Sequence, residues 1–249
     1  MTAIFFFRFS RMIAQALSIA FSALITETTT TEYDPNLSNR LVYENGEFVQ
    51  VPPFARPLDV ELPEPYGTLT QYIIPHSETK TVVAYLDAVG KPAKLVEVRG
   101  TWPLKNMQLV RALYDWGILR NEKIRIAGAE VGVMDAVSAY LMQHPVGQTT
   151  DLYGYALHVA VTGTKDGRKW RYTLTHTHPA SDGSVEGWEK LRAYTRCVGI
   201  PMGIATDSIV RGKVKGYGVI TPEFAFDPAE IFKELEKRRI LVHEKLEEI

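Results

Sequence analysis

The segment from Arg99 to Lys105 carries side chains that could bind an anionic small molecule. Arginine suits a carboxylate because its planar guanidinium donates two parallel hydrogen bonds. Arg99 ends a β-rich run and precedes Gly100, a position from which its side chain could point into a cleft. Thr101 could add a hydroxyl contact, and Lys105 could meet a second carboxylate as a point charge. An ordinary surface arginine and a solvated helix lysine are the alternatives.

A second candidate cluster is His76-Ser77-Glu78-Thr79, which precedes an apolar helical pattern. The free backbone N–H groups and the dipole of a helix N-terminus favour an anion. His76 can titrate near neutral pH and could take or give a proton, so we expect it to be the catalytic residue. We expect Ser77, Glu78 and Thr79 to contact the ligand, although Ser77 or Thr79 could instead simply cap the helix.

Three histidines allow a competing interpretation as a metal site. His176 and His178 are two residues apart in a predicted strand and share a face, and His158 could lie diagonally across a hairpin from His176. Two or three imidazoles on one face can bind zinc or another transition metal. No carboxylate or cysteine has ligand spacing nearby, so we expect no metal ligand in this chain. A metal-dependent enzyme is therefore the third functional alternative.

The composition is that of an ordinary globular chain of 249 residues, with 45% hydrophobic and 23% charged residues. The net charge of −1, with both signs dispersed, gives no basic patch for nucleic acid. The single cysteine, Cys197, excludes an internal disulfide and a cysteine zinc site and is compatible with a reducing compartment. We expect Cys197 to lie on a helix as a small buried hydrophobic residue rather than a reactive thiol.

Residues 1–30 form an apolar N-terminal segment that allows three interpretations: a structural segment, a targeting peptide or a membrane segment. Arg8, Arg11 and Gln15 interrupt the apolar stretch, which argues against a bilayer span. Residues 4–9 are a plausible strand. We therefore expect a strand and a helix remnant at a domain junction, no membrane association and a cytoplasmic protein.

The helices and strands that must position the candidate residues alternate along the chain. Helix-like spacing of apolar residues covers residues 79–88, 103–117, 133–142, 187–198, 202–211 and 228–240. Runs typical of strands cover residues 72–74, 95–99, 155–162 and 170–177. The first two helices have apolar faces formed by Val82, Val83, Tyr85 and Leu86, and by Met107, Val110, Leu113 and Trp116 or Gly117.

Two local signals locate the ends of these elements. Asp166-Gly167 predicts a hairpin turn between the last two strands. Asp227, Pro228 and Glu230 predict the start of the last helix, as N-cap, first helical residue and capping-box partner. The mixture of elements favours an α/β (α+β) fold, with a mixed, largely antiparallel sheet covered by helices on one face.

Short motifs in a fixed order resemble those of the saccharopine dehydrogenase-like family. Its closing signature resembles Gly199-Ile200-Pro201, residues 209–214 and residues 218–223, and its strand pair resembles residues 41–54 with the Asn45-Gly46 turn. Residues 74–79 are similar to a family loop that usually reads Pro-Asn-x-Asp-Ser. The family's Arg-Gly-Thr matches Arg99-Gly100-Thr101, but residues 102–105 replace the Arg-Tyr-x-Gly that often follows.

The resemblance implies an NAD(P)-dependent oxidoreductase of amino-acid metabolism, such as that of lysine, which acts on an imine or secondary amine. Members pair a Rossmann domain with an α/β substrate-binding domain, and residues 31–249 resemble the second. The resemblance assigns Arg99, Gly100 and Thr101 to substrate binding and implies a homodimer that binds an amino-acid-derived small molecule.

The dinucleotide motif G-x-G-x-x-G is missing from this sequence. No cofactor-binding residue is therefore identified, and we expect this chain alone to bind NAD or NADP weakly at most. A Rossmann-domain partner or a missing N-terminal half would complete the enzyme. The alternative is a stand-alone, non-catalytic ligand-binding or dimerisation module of the same fold.

Overall fold

The computed structural model describes residues 2–6, 30, 32–144, 154–179, 183–188 and 193–249, with residues 2–6 and 193–195 as backbone. Its strands are β1 (Thr2–Phe6), β2 (Leu41–Glu44), β3 (Glu47–Gln50), β4 (Leu58–Leu62), β5 (Gly67–Ile73), β6 (Leu95–Gly100), β7 (Lys123–Ile126), β8 (Ala129–Gly132), β9 (Tyr155–Lys165), β10 (Arg168–His178) and β11 (His243–Glu248). Its helices are α1 (Glu78–Ala88), α2 (Leu104–Asp115), α3 (Val133–Gln143), α4 (Ala193–Val210), α5 (Pro222–Ala225) and α6 (Pro228–Glu236), with a 3₁₀ helix at Ile118–Arg120. The predicted mixed α/β fold is confirmed.

In the described part of the chain, nine strands form one sheet in the order β11-β10-β9-β1-β6-β2-β3, which β4 and β5 join through β6. Strands β1 and β6 are parallel, and the other described neighbours are antiparallel. One edge of β6 is shared, because Leu95 lies opposite Glu44 of β2 whereas Arg99 lies opposite Ile73 of β5. Strands β7 and β8 form a separate hairpin.

Strand β6 is buried on both faces, and two helices cover one of them. Val96 packs with Val82 and Val83 of α1. On the same face, Val98 packs in a larger cluster with residues of α2, which are Met107, Val110 and Leu113. Trp116, which the sequence pattern placed on the same face of α2, is 83% exposed because the helix ends at Asp115. The spacing of apolar residues therefore predicts the covered face correctly up to the last turn.

Strands β9 and β10 form the predicted hairpin. Asp166 and Gly167 both have positive φ, at 53° and 77°, as the tight turn between twisted strands requires. Arg168 lies opposite Lys165 and His178 lies opposite Tyr155, so both strands are longer than the apolar runs predicted.

The C-terminal helices differ from the prediction in their bounds, since Gly187 and Trp188 are not helical and the last helix ends at Glu236 rather than near Ile240. Helix α4 continues through Pro201, where two helices were predicted. Proline removes a backbone hydrogen bond from a helix. Nevertheless, Ile200 and Ile204 of α4 pack on either side of this break against Leu235 and Ile240, which holds the turns in line. Helix α6 begins as predicted, because Asp227 Oδ1 accepts hydrogen bonds from the backbone N–H groups of the next turn at 2.9 and 3.3 Å.

The N-terminal strand lies inside the large sheet. Strand β1 pairs with β6 on one side and β9 on the other, so the predicted strand is confirmed for residues 4–6. Residues 7–9 and the predicted helix lie outside the described residues. Within the described ranges, no helix is long and apolar enough to cross a membrane.

Candidate functional site

A cavity of about 290 Å³ lies where the β4–β5 hairpin, the turn from β6 to α2 and the start of β9 meet. Its apolar wall includes Leu62, Leu69, Trp102 and Leu104, and its polar groups come from Tyr66, Gln71, Arg99, Thr101 and His158. This volume is close to the lower end of typical ligand sites, and an apolar wall with a few polar groups is typical of them. The cavity therefore suits a molecule about the size of an amino acid.

Arg99 lines this cavity, as predicted, but its guanidinium is already engaged. Residues two apart in a strand share a face, so Arg99 lies beside Glu97 of the same strand. Its Nε and Nη2 donate to the two carboxylate oxygens at 2.6 and 3.0 Å. Its Nη1 donates to the backbone carbonyls of Arg56 and Gln71. The planar fork that we expected to face a ligand carboxylate therefore holds Glu97 in this structure.

One N–H group of Arg99 has no partner among the described residues. A guanidinium has five N–H groups, and the contacts with described residues account for four of them. The remaining one is on Nη2. A carboxylate in the cavity would thus receive a single hydrogen bond from Arg99 rather than two.

Of the predicted residues that follow Arg99, two line the cavity and one does not. Gly100 and Thr101 line the cavity with it. A Cβ at Gly100 would lie 2.8 Å from Ile74 Cδ1, so a larger residue here would require the Ile74 side chain to move. Lys105 is exposed on the first turn of α2 and is not among the residues that line the cavity.

The second predicted cluster forms behind the cavity wall. His76 Nδ1 lies 3.2 Å from Glu78 Oε2, and its Nε2 lies 3.9 Å from Glu32 Oε1. The indole Nε1 of Trp102, whose side chain lines the cavity, donates to Glu32 Oε2 at 2.7 Å. Arg40, which is fully buried, donates to the backbone carbonyl of Glu32 and fixes its position. Within the described residues, His76 therefore reaches the cavity through Glu32 and Trp102.

His76 is charged at neutral pH in this environment. Burial alone would lower its pKa, but the interactions with the Glu32 and Glu78 carboxylates more than offset burial and raise the pKa to about 9. Burial raises the pKa of Glu78, but the hydrogen bond and charge of His76 outweigh it and leave the pKa lowered. The cluster is thus an imidazolium held between two carboxylates.

The other two residues of this cluster do not cap α1 with their side chains. Ser77 is at the N-cap position and exposed, and its hydroxyl lies 3.4 Å from Glu78 Oε2. Thr79 is 1% exposed, and its hydroxyl has no hydrogen-bond partner among the described residues. Capping by Ser77 or Thr79 is therefore not what the structure shows.

The three histidines separate into two groups. His158 lies opposite Thr175, and His176 lies opposite Leu157, so His158 is on the other face of the hairpin from His176. The predicted diagonal contact is wrong because the Asp166-Gly167 turn pairs His158 with Thr175, and the next residue, His176, points to the opposite face. On their own face, His176 and His178 meet Cys197 of α4, with the possible ligand atoms of all three within 4.8 Å of one another. Cys197 lies on a helix, as predicted, but beside imidazoles.

Two strand-to-helix turns beside the site do not fit a dinucleotide cradle. Such a cradle needs glycines for close backbone approach and free N–H groups at the helix N-terminus. The turn before α2 places the buried Trp102 side chain there, and Pro103 at its N-cap has no N–H. The turn before α1 places the carboxylate of Glu78 in the first helical turn, where it would repel a phosphate.

A larger concavity of about 1040 Å³ lies along the tip of the β9–β10 hairpin. Its lining includes Lys94, Lys165, Arg168 and Lys169, and none of the predicted site residues. The candidate site therefore remains the smaller cavity beside Arg99.

A family model described as the saccharopine dehydrogenase C-terminal domain matches residues 36–241. The match includes the cavity and the three residues Arg99, Gly100 and Thr101, and it leaves out Glu32 and β1. No curated protein matches the chain.

Replacing Arg99 by methionine tests the buried ion pair. The single substitution leaves Glu97 buried without a counter-charge, so we expect a loss of about 3–5 kcal/mol in the free energy of unfolding. The double variant Arg99→Met/Glu97→Leu removes both charges, and we expect it to recover most of that loss. Urea unfolding followed by circular dichroism measures both. A single variant as stable as the wild type would show that the two side chains are not paired in a buried site.

The charged His76 makes stability depend on pH. Its folded-state pKa of about 9 lies above the ordinary value of 6.5, so protonation stabilises the fold. This contribution, roughly 3 kcal/mol, is fully present below pH 6.5 and lost as the pH rises through about 9. The measurement is the free energy of unfolding of wild type and His76→Gln at about pH 6, 7.5 and 9.5. We expect the advantage of the wild type to shrink with pH, and a constant difference would contradict the assignment.

Proposed function

This chain belongs to the saccharopine dehydrogenase C-terminal domain family, and we propose that it is the substrate-binding and dimerisation portion of an NAD(P)-dependent oxidoreductase that acts on an amino-acid-derived imine or secondary amine. The observation that carries this proposal is the cavity at Arg99-Gly100-Thr101, inside the range that the family model matches. The family supports a part of an oxidoreductase, and the cavity supports a small polar ligand.

The cavity has complementary ends for such a ligand. Thr101 and the remaining N–H of Arg99 offer donors to a carboxylate, and the Gln71 amide lies in the same lining. Leu62 and Leu69 offer an apolar wall to an aliphatic chain. Arg99 keeps one positive charge balanced by Glu97, so recognition rests on hydrogen bonds and shape more than on net charge.

His76 acts in this proposal as a positioning residue. The imidazolium holds Glu32, and Glu32 in turn holds the indole of Trp102 against the cavity. Glu78 fixes the other side of the imidazole. Ser77 and Lys105 remain exposed at the margin, where contact with a ligand would need a substrate that extends out of the cavity.

The cofactor of the complete enzyme, NAD or NADP, would be bound by a Rossmann domain or partner chain. A nicotinamide cofactor carries the hydride chemistry itself, so the substrate portion mainly has to orient the ligand and exclude water. Few residues of this chain therefore need to touch the reacting atoms.

The exposed surface that runs from the end of α4 towards α5 supports an interface. Val210, Tyr217 and Val219 are 81%, 97% and 107% exposed, which is unusual for apolar side chains so close in sequence. Gly216 and Gly218 have positive φ, at 84° and 90°, which turns the backbone so that Tyr217 stands outwards. We assign this surface, defined by these five residues, to the contact with a second copy of the chain.

Ligand titration tests the binding proposal. Saccharopine serves as the probe, because it is an amino-acid-derived secondary amine, and calorimetry should give one site per chain. Thr101→Val should weaken binding by about 2- to 10-fold, the value of one hydrogen bond. The matched control, Thr164→Val, changes an exposed threonine on the hairpin and should leave binding unchanged.

Two outcomes separate this proposal from its alternative. Reductase activity that appears on adding a dinucleotide-binding partner supports the oxidoreductase portion. Binding that depends on Thr101 but never leads to reduction favours a stand-alone binding module. Equal binding by both valine variants would contradict the cavity as the site.

Sedimentation of the purified chain tests the interface. We expect a dimer that Val219→Lys weakens about tenfold or more, since the new charge would be desolvated in the contact. The fold should be unaffected because Val219 is exposed. Thr164→Lys is the control for an added surface charge. A monomeric wild type, or a dimer that tolerates Val219→Lys, would exclude this surface.

A further inference from the structure

His176, His178 and Cys197 come together from two elements that the sequence separates. The two histidines are on one face of β10, and Cys197 of α4 lies beside them on that face. One ligand atom from each residue lies within 4.8 Å of the other two. Ligands about 2.0–2.3 Å from a zinc ion lie roughly 3.3–4 Å apart. Small side-chain rotations would therefore bring all three onto one ion.

His176 is oriented as a metal-binding imidazole. Its Nδ1 lies 2.7 Å from the backbone carbonyl oxygen of Leu241, which can only accept, so Nδ1 carries the proton. The lone pair is then on Nε2, which is buried without a hydrogen-bond partner among the described residues. A hydrogen bond from one ring nitrogen to a carbonyl, which fixes the other as the ligand, is the usual support of a metal-bound histidine.

The ring nitrogens of His178 are available to a ligand. Its side chain is completely buried, and neither ring nitrogen has a hydrogen-bond partner in the part of the chain that the structure describes. The ring lies edge-on to His176 and to Trp188, with centroids 4.6 and 4.5 Å apart. Buried polar groups are almost always paired, so these two nitrogens point to a ligand that the described residues do not supply.

A neutral imidazole and a thiolate are the forms that bind a metal ion. A cation that binds at Cys197 Sγ would displace the thiol proton to solvent, because metal binding deprotonates a coordinating thiol.

We propose that His176 Nε2, one ring nitrogen of His178 and Cys197 Sγ form a binding site for a thiophilic d¹⁰ metal ion, Cu⁺ or Zn²⁺. Two imidazoles and one thiolate match the softness of these ions. The thiolate neutralises Cu⁺ completely, whereas Zn²⁺ keeps one positive charge near the Arg196 guanidinium and would need an anion or water as a fourth ligand. This site is separate from the proposed substrate cavity, and the proposal replaces the expectation that the chain holds no metal ligand.

A surface cavity of about 420 Å³ reaches the site at His176. Its lining includes Trp188, Glu236, Arg239 and His243. It is large enough for a hydrated ion and could hold the fourth ligand of Zn²⁺. Glu236 would attract the incoming cation, whereas Arg239 at the same wall would oppose it.

The test is metal titration of the purified full chain, after removal of metal with a chelator. Zn²⁺ and, under anaerobic reducing conditions, Cu⁺ are each titrated against a competing chelator, and we expect one equivalent of at least one ion to bind. Co²⁺, a coloured substitute for Zn²⁺, reports the ligands. Since Cys197 is the only cysteine, a thiolate-to-cobalt charge-transfer band identifies it as a ligand without any variant.

The metal affinity and charge-transfer band of variants provide a second test. Cys197→Ser should lose the charge-transfer band and bind metal at least about 100-fold more weakly, and His176→Gln should weaken binding by about 10-fold or more. The control His144→Gln removes an exposed histidine at the end of α3 and should change neither. The relative affinities for Cu⁺ and Zn²⁺ identify the ion. Substoichiometric binding of both ions, binding without a thiolate band, or equal affinity in Cys197→Ser would overturn the proposal.

Discussion

Strand β6 depends on one constraint, which is that charged side chains buried on a strand must neutralise each other. Its residues from Val96 to Arg99 are all buried, because partners lie along both edges and helices cover one face. Glu97 and Arg99 share the opposite face, and each alone would be a buried, unpaired charge. Their ion pair lets the strand occupy the centre of the sheet, and the same pair forms part of the cavity wall. One guanidinium therefore both neutralises a buried carboxylate and lines the cavity.

Buried charges are also neutralised by counter-charges in the rest of the site. His76 is balanced by two carboxylates, and the indole of Trp102 connects that cluster to the cavity. Tyr66 connects the cavity to the histidine face of β10, since its hydroxyl donates to the backbone carbonyl of His178 at 2.7 Å. This hydrogen bond and the pairing of Tyr155 with His178 join the two regions. The cavity wall presents Arg99 as part of an ion pair rather than as a free charge.

Local signals in the sequence predicted the local structure well. The Asp166-Gly167 turn and the Asp227 cap depend on a few neighbouring residues, so the sequence predicts them. The contacts that the sequence did not predict are made between residues far apart in the chain. Glu32 reaches His76 across 44 positions, and Cys197 reaches the β10 histidines only once α4 has packed. The pairing of Glu97 with Arg99 was open to prediction, because two opposite charges with strand spacing in an apolar run have to be paired.

The position of β1 has a consequence for how the protein is made. Thr2 pairs with Leu95 of β6 and with Thr162 of β9, both of which leave the ribosome long after it. Parallel and long-range pairings form slowly because the intervening chain must first be brought into a loop. During synthesis, β6 and β9 would therefore expose backbone edges that attract other extended segments, and a chaperone that shields such edges would raise the yield of native protein.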